Sequence, residues 1–133
     1  MAPDILILGA SGFIGQRLAQ RLGASRVLST YCAKPVPGGA HLDARSDTLE
    51  SLGRPLATVQ HGIILFAMTQ IDACAREPAK AASLNVAAAQ SVIDQLVERG
   101  IVPVFASTDV VFDGGRGDYR EDDLPGPILT YGR

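Results

Sequence analysis

Gly9, Gly12 and Gly15 lie three residues apart in the segment GASGFIG, directly after the apolar run Ile5–Leu8 and ahead of residues with helical spacing. A strand that turns at once into a helix needs a residue free of Cβ clash, which Gly9 supplies. A pyrophosphate reaches the backbone closely only where there is no side chain, as at Gly12, and Gly15 lets the helix lie tight on the sheet. The free N–H groups of the first helical turn, at Phe13 and Ile14, and the helix dipole would hold the phosphate charge. The chemistry implied is binding of a dinucleotide; the alternative is a tight turn with a purely structural role.

An acid about twenty positions beyond such glycines would hold the ribose hydroxyl of NAD. No Asp or Glu occurs between Asp4 and Asp43, whereas Lys34 follows the second apolar run. A cation there would meet a 2′-phosphate, which favours NADP and leaves NAD possible; a solvated loop lysine is the alternative reading. Thr108 and Asp109 follow the apolar segment 101–107, where ligands of doubly wound sheets bind. His41 and His61 have no partnered acid or nucleophile in sequence and read as structural. Asp113 and Gly114 read as a turn, and Asp122 and Asp123 as a solvated acidic turn. Cys32 and Cys74 form neither a CxxC pair nor a Cys/His cluster, so two ordinary thiols are expected and no metal site.

The elements that must position these residues follow from periodicity. Ile5–Leu8 reads as a strand buried on both faces, and Phe13, Ile14, Leu18 and Leu22 recur at helical spacing up to Gly23. Arg17 and Arg21 fall on the outer face of that helix. RVLST is a second strand, CAKPVPGGAH a loop, and SDTLESLG a short helix capped by Ser46 or Asp47 and closed by Gly53. GIILFAM is the next strand. Residues 78–99, with Pro78 in the first turn and Gly100 beyond the end, form the strongest helix. IVPVFAS is the last strand, and everything after Thr108 is turn-like. Strands alternating with helices predict an α/β fold: a Rossmann-type, doubly wound parallel sheet of about five strands.

The 133 residues suffice for one domain with its own core, and 47% apolar content with 5% aromatics and no Trp predicts an aliphatic interior. A net charge of −2 provides no basic face for nucleic acid and no polybasic membrane signal. The first residues lack a basic segment and their apolar run is broken by glycine, so neither a signal peptide nor a membrane span is expected, and the chain reads as cytoplasmic.

With the glycine turn, LDA, NVAAA, STDVVFDG and YREDDLPGPILTYG in that order, the chain resembles the extended short-chain dehydrogenase/reductase family, and within it the dTDP-4-dehydrorhamnose reductases. The resemblance implies a nicotinamide dinucleotide on the N-terminal sheet and a nucleotide sugar held by a C-terminal region. It implies that Asp43 meets the adenine amino group, that the backbone at Ala67 lines the cofactor ribose with Thr69 as a weaker cofactor-binding match, and that Asn85 supports the active site. Thr108 becomes the catalytic hydroxyl and Tyr131 the tyrosine of a Tyr-x-x-x-Lys motif. The alternative for Asn85 is a hydrogen bond to its own helical turn. Val110 departs from the aromatic usual after Ser-Thr-Asp, and Met68-Thr69 departs from Tyr-Thr.

In the implied mechanism a hydride moves from the nicotinamide to a sugar carbonyl while a tyrosine donates the proton. A free tyrosine ionises near pH 10, and bringing that to 7 takes about 4 kcal/mol, which a lysine four residues on would supply. That position lies past Arg133, so the reading is a 1–133 NAD(P)-binding domain truncated before its substrate-binding region. Two functions remain open: the cofactor part of a nucleotide-sugar reductase, or a non-catalytic Rossmann-fold binding or regulatory module. The apolar segment 101–107 would then be a sheet edge able to pair with another chain, which predicts a homo-oligomer.

Overall fold

The computed structural model describes residues 2–133. Five parallel strands, β1 (Ile5–Leu8), β2 (Val27–Tyr31), β3 (Ala40–His41), β4 (His61–Ile64) and β5 (Val102–Phe105), form one sheet in the order β3-β2-β1-β4-β5. β1 is central and buried along its whole length, as a run without polar alternation requires. Its side chains alternate between two cores. Ile5 and Ile7 meet Leu18 and Leu22 of helix α1 (Phe13–Leu22), whereas Leu6 and Leu8 join Leu28, Ile64, Val92 and Leu96 on the opposite face. The sheet is therefore covered on both faces and doubly wound, as its sequence pattern predicts.

The chain returns from β4 to β5 through α2 (Ile71–Arg76), α3 (Pro78–Ala82), a π-helical segment (Ser83–Ala88) and α4 (Ala89–Glu98). Residues 78–98 correspond to the expected long helix, with right-handed helical backbone at the junctions Ala82, Ser83, Ala88 and Ala89. The π segment and α2 are absent from the periodicity. Glu77, ahead of Pro78, leaves helical geometry and separates α2 from α3.

Four local expectations are corrected. The two-residue β3 lies in the segment read as a loop, and pairing with Thr30 and Tyr31 makes it a strand. The short helix at 46–53 is a 3-10 turn at Leu49–Leu52 whose N-cap is Thr48, because Asp47 turns back to accept the Asp43 N–H at 2.7 Å; Gly53 closes it as expected. β4 stops at Ile64, where pairing with β5 ends at Phe105, so residues 65–68 leave the sheet. Phe13 and Ile14 do not share the buried face of α1 but stand 81% and 65% exposed. The polar segment after Thr108 contributes two 3-10 turns, Asp109–Val111 and Thr130–Gly132, and the second packs against α2 and the first.

Gly62 shows how closely α4 lies on the sheet. A Cβ there would stand 2.6 and 2.7 Å from the two Cδ atoms of Leu96, a fully buried side chain that would have to give way. Gly62→Ala is expected to lower stability by about 1–3 kcal/mol. The measurement is a urea unfolding midpoint, and an unchanged midpoint would show that Leu96 has room to move.

Candidate functional site

The strand order reverses between β1 and β4, and their carboxyl ends open onto a cleft of about 600 Å³. The β1–α1 turn forms its floor with Gly9, Gly12, Phe13, Ile14 and Gly15. The chain after β4 contributes Ala67 and Thr69, the π segment Asn85, and the segment after β5 Thr108 and Tyr131. Residues from Gly9 to Arg133, nearly the whole chain, thus share one cleft, and they include every expected catalytic residue.

Each glycine of the turn meets a different constraint. Gly9 adopts φ +93°, and a Cβ on it would stand 2.8 Å from the Phe66 backbone nitrogen. A Cβ on Gly15 would stand 2.6 Å from the Gly9 carbonyl oxygen and 2.7 Å from Cα of Ala10. Gly12 caps α1 with extended backbone and no side-chain hydrogen bond, and a Cβ on it would meet the Gly9 oxygen at an ordinary 3.5 Å. No acid stands in the first turn of α1, so no carboxylate competes for its N–H groups.

Asn85 does not bond its own helical turn. Its Oδ1 accepts the Met68 N–H at 2.7 Å and its Nδ2 donates to the Met68 carbonyl at 2.9 Å; the Cys74 thiol donates to that same carbonyl at 3.2 Å. The two peptide groups flanking Met68 are thereby held on three hydrogen bonds, two of them to the Asn85 amide, one through its oxygen and one through its nitrogen. Thr108 accepts the Val110 N–H at 3.3 Å, capping its 3-10 turn, and donates to Asp109 at 3.3 Å. Tyr131 sits on the last 3-10 turn, half-buried, and Gly132 beside it lies so close to the Val110 carbonyl that a Cβ would overlap it.

A second cleft of about 340 Å³ shares Gly9, Gly12 and Ala67 with the first and runs toward β2 and β3. Asp43 lines it. Arg45 Nε and Nη2 donate to the two Asp43 oxygens at 2.9 and 2.7 Å, and the Arg45 N–H adds 3.1 Å. These bonds, led by the guanidinium, hold the Asp43 carboxyl down to about 2 from the ordinary 3.8. Lys34 is exposed and lines neither cleft. Asp113 accepts the Gly115 N–H at 2.9 Å and the Tyr119 hydroxyl in a turn, as read from the sequence, whereas Asp123, expected to be solvated, pairs with Arg116, accepts the Arg120 N–H and is 25% exposed. Cys32 is exposed, Cys74 buried, and neither is in a disulfide. Among the described residues no helix is long and apolar enough to cross a membrane.

Residues that pattern alone did not mark are Phe66, which lines both clefts, Phe105, exposed at the end of β5, and Arg45. The signals were present: aromatic residues at or just past two strand ends, and a cation immediately after LDA.

A family model described as the RmlD substrate binding domain matches residues 3–133. A dTDP-4-dehydrorhamnose reductase of Streptomyces griseus is 33% identical over 98% of this chain and 41% of its own length. The methionine adenosyltransferase 2 subunit beta of Bos taurus is 28% identical over 97% of this chain and 39% of its own. The solved structure of MoeE5 in complex with UDP-glucose and NAD superposes with a TM-score of 0.82 at 30% identity, covering 97% of this chain and 44% of that one. The chain thus spans about two fifths of the length of these curated relatives.

The Asp43–Arg45 pair makes a pH-dependent contribution to stability. Because the folded carboxyl is depressed to about 2, the pair stabilises the fold above the unfolded value of 3.8 and loses that effect as pH falls toward 2. Asp43→Asn is expected to cost about 0.5–1 kcal/mol at pH 7, the size of a largely solvated pair, with the gap from wild type closing between about pH 4 and 2. Urea unfolding of both proteins across that range is the measurement; a gap constant with pH would remove the assignment.

Proposed function

The chain belongs to the family described as the RmlD substrate binding domain, and from that premise we propose that it is the NAD(P)-binding part of a nucleotide-sugar reductase resembling the dTDP-4-dehydrorhamnose reductases. The observation that carries this reading is Gly12. The fold requires Gly9 and Gly15 to be bare, but nothing in the protein crowds a Cβ at Gly12. Its missing side chain leaves open the space before the N-terminus of α1, where a pyrophosphate fits.

The turn 9–15 would hold the pyrophosphate, with the adenosine in the cleft of Asp43 and the nicotinamide toward Thr108 and Tyr131. The bound nicotinamide supplies the hydride. Tyr131 Oη would donate the proton to the carbonyl oxygen of a 4-keto sugar, and Thr108 Oγ1 would hold that oxygen by a hydrogen bond. Asn85 keeps the 67–69 wall in place through Met68. NADP is the proposed cofactor, with NAD possible, and the proposed setting is the cytoplasm. The name of the bovine relative supports a second reading, a non-catalytic binding or regulatory module with the same dinucleotide site; the nucleotide sugar and NAD named with MoeE5 favour the first.

Fluorescence titration is expected to show NADPH binding at least as tightly as NADH, and Gly12→Val is expected to abolish both while leaving the unfolding midpoint within about 1 kcal/mol of wild type. Tight binding by the Val variant would remove the site. Reduction of a 4-keto nucleotide sugar supports the reductase reading, whereas binding without turnover is the outcome expected of both.

We also propose that the chain associates with itself through β5. Among the described residues this strand pairs with β4 alone, and Val102, Val104 and Phe105 are 54%, 44% and 51% exposed. Light scattering at high micromolar concentration is expected to report a dimer or larger species, and a monodisperse monomer would overturn the proposal.

A further inference from the structure

The charged residues lining the second cleft are Asp43 and Arg45. Asp43 receives two of the five guanidinium N–H donors, through Nε and Nη2, and is itself tethered by its own N–H to Asp47 at 2.7 Å. The guanidinium is therefore held in a fixed plane with three donors left over, on a side chain that lines the cleft and is still 45% exposed. Cys32, immediately after β2, lines the same cleft. Arg45, although carried by the loop after β3, thus reaches the carboxyl end of β2, where doubly wound folds meet the 2′ oxygen of an adenosine ribose. No carboxylate precedes Asp43 in the chain after Asp4, and Lys34 is outside the cleft.

From this placement we infer that Arg45, oriented by Asp43, is the residue that selects a 2′-phosphorylated adenosine. The inference rests on the dinucleotide site proposed above and assigns its specificity. A planar fork suits a phosphate better than a lysine ammonium does, and a fork already oriented loses little freedom on binding. Asp43 offsets part of the positive charge, so the selection comes from directed hydrogen bonds rather than from net field.

Calorimetric titration with 2′,5′-ADP and with 5′-ADP tests the inference. Wild type is expected to bind 2′,5′-ADP at least about tenfold more tightly, the worth of one hydrogen bond to a charged group. Arg45→Gln, and equally Arg45→Ala, should erase that ratio by weakening 2′,5′-ADP while 5′-ADP changes by less than about twofold, and Lys34→Ala should keep the ratio. A ratio that survives in the Arg45 variants, that falls in Lys34→Ala instead, or that is absent from wild type overturns the role of Arg45. Equal weakening of both ligands by Arg45→Gln overturns it too, because it would place the guanidinium on the adenine. If wild type binds neither ligand, the dinucleotide site itself fails, a result distinct from all of these.

Discussion

The architecture depends on one close approach of backbones. At the carboxyl end of β1, Gly9 lies against the peptide of Leu65 and Phe66, and Gly15 lies against the Gly9 carbonyl and Ala10. No side chain separates central strand, first helix and the chain leaving β4. The turn is fastened to β2 as well: the Ala10 N–H donates to the Thr30 carbonyl at 2.8 Å, and the Gly9 N–H points to the Thr30 hydroxyl at 3.4 Å. Thr30, a buried polar residue, is accounted for by that contact. The floor of the cleft is consequently bare of side chains at its glycines, and the N–H groups of the first turn of α1 beside them are the donors an anionic ligand needs.

The walls are held by different means. On one side the Met68 peptide is gripped by Asn85 and Cys74, and Asn85 reaches it from a π-helical segment. Such segments add a residue to the helical turn and redirect side chains, which is one reason they recur at binding sites. On the other side the segment after β5 has almost no secondary structure, yet it is closed on itself. Thr108 caps its first turn, the Gly126 N–H donates to the Val111 carbonyl at 3.0 Å, and Phe112 stacks on Tyr119 with ring centres 4.5 Å apart. Gly132 touching Val110 then brings Tyr131 to the rim. One wall is a packed helix and the other a polar strap, so hydrogen-bond loss would loosen the second first.

Charge is distributed unequally between the two clefts. Arg133, at its rim, is the charged residue among those lining the first, whereas the second contains a carboxylate and a guanidinium that satisfy each other. The first is thus suited to groups that react or change charge, surrounded by apolar side chains such as Phe66 and Phe105 and by neutral hydroxyls. The second is suited to recognition, since its charges are oriented before anything binds.

What the amino-acid sequence determined by itself is local. Ile5–Leu8, the glycine turn and the start of α1 are adjacent in the chain, and an apolar run, three glycines and a helical period suffice to fix strand, turn and helix whatever surrounds them. The parallel, doubly wound sheet followed from the alternation of such units. Tertiary structure decided whatever depends on residues far apart: that Ala40 and His41 pair with β2, that Phe13 and Ile14 face a cleft instead of the core, and that Asn85 serves Met68 rather than its own turn. It also placed Lys34 outside both clefts and Arg45 within the second, since a cation's place in the chain specifies its charge but not what it reaches, and the partners of a side chain are set only once the intervening loops have closed.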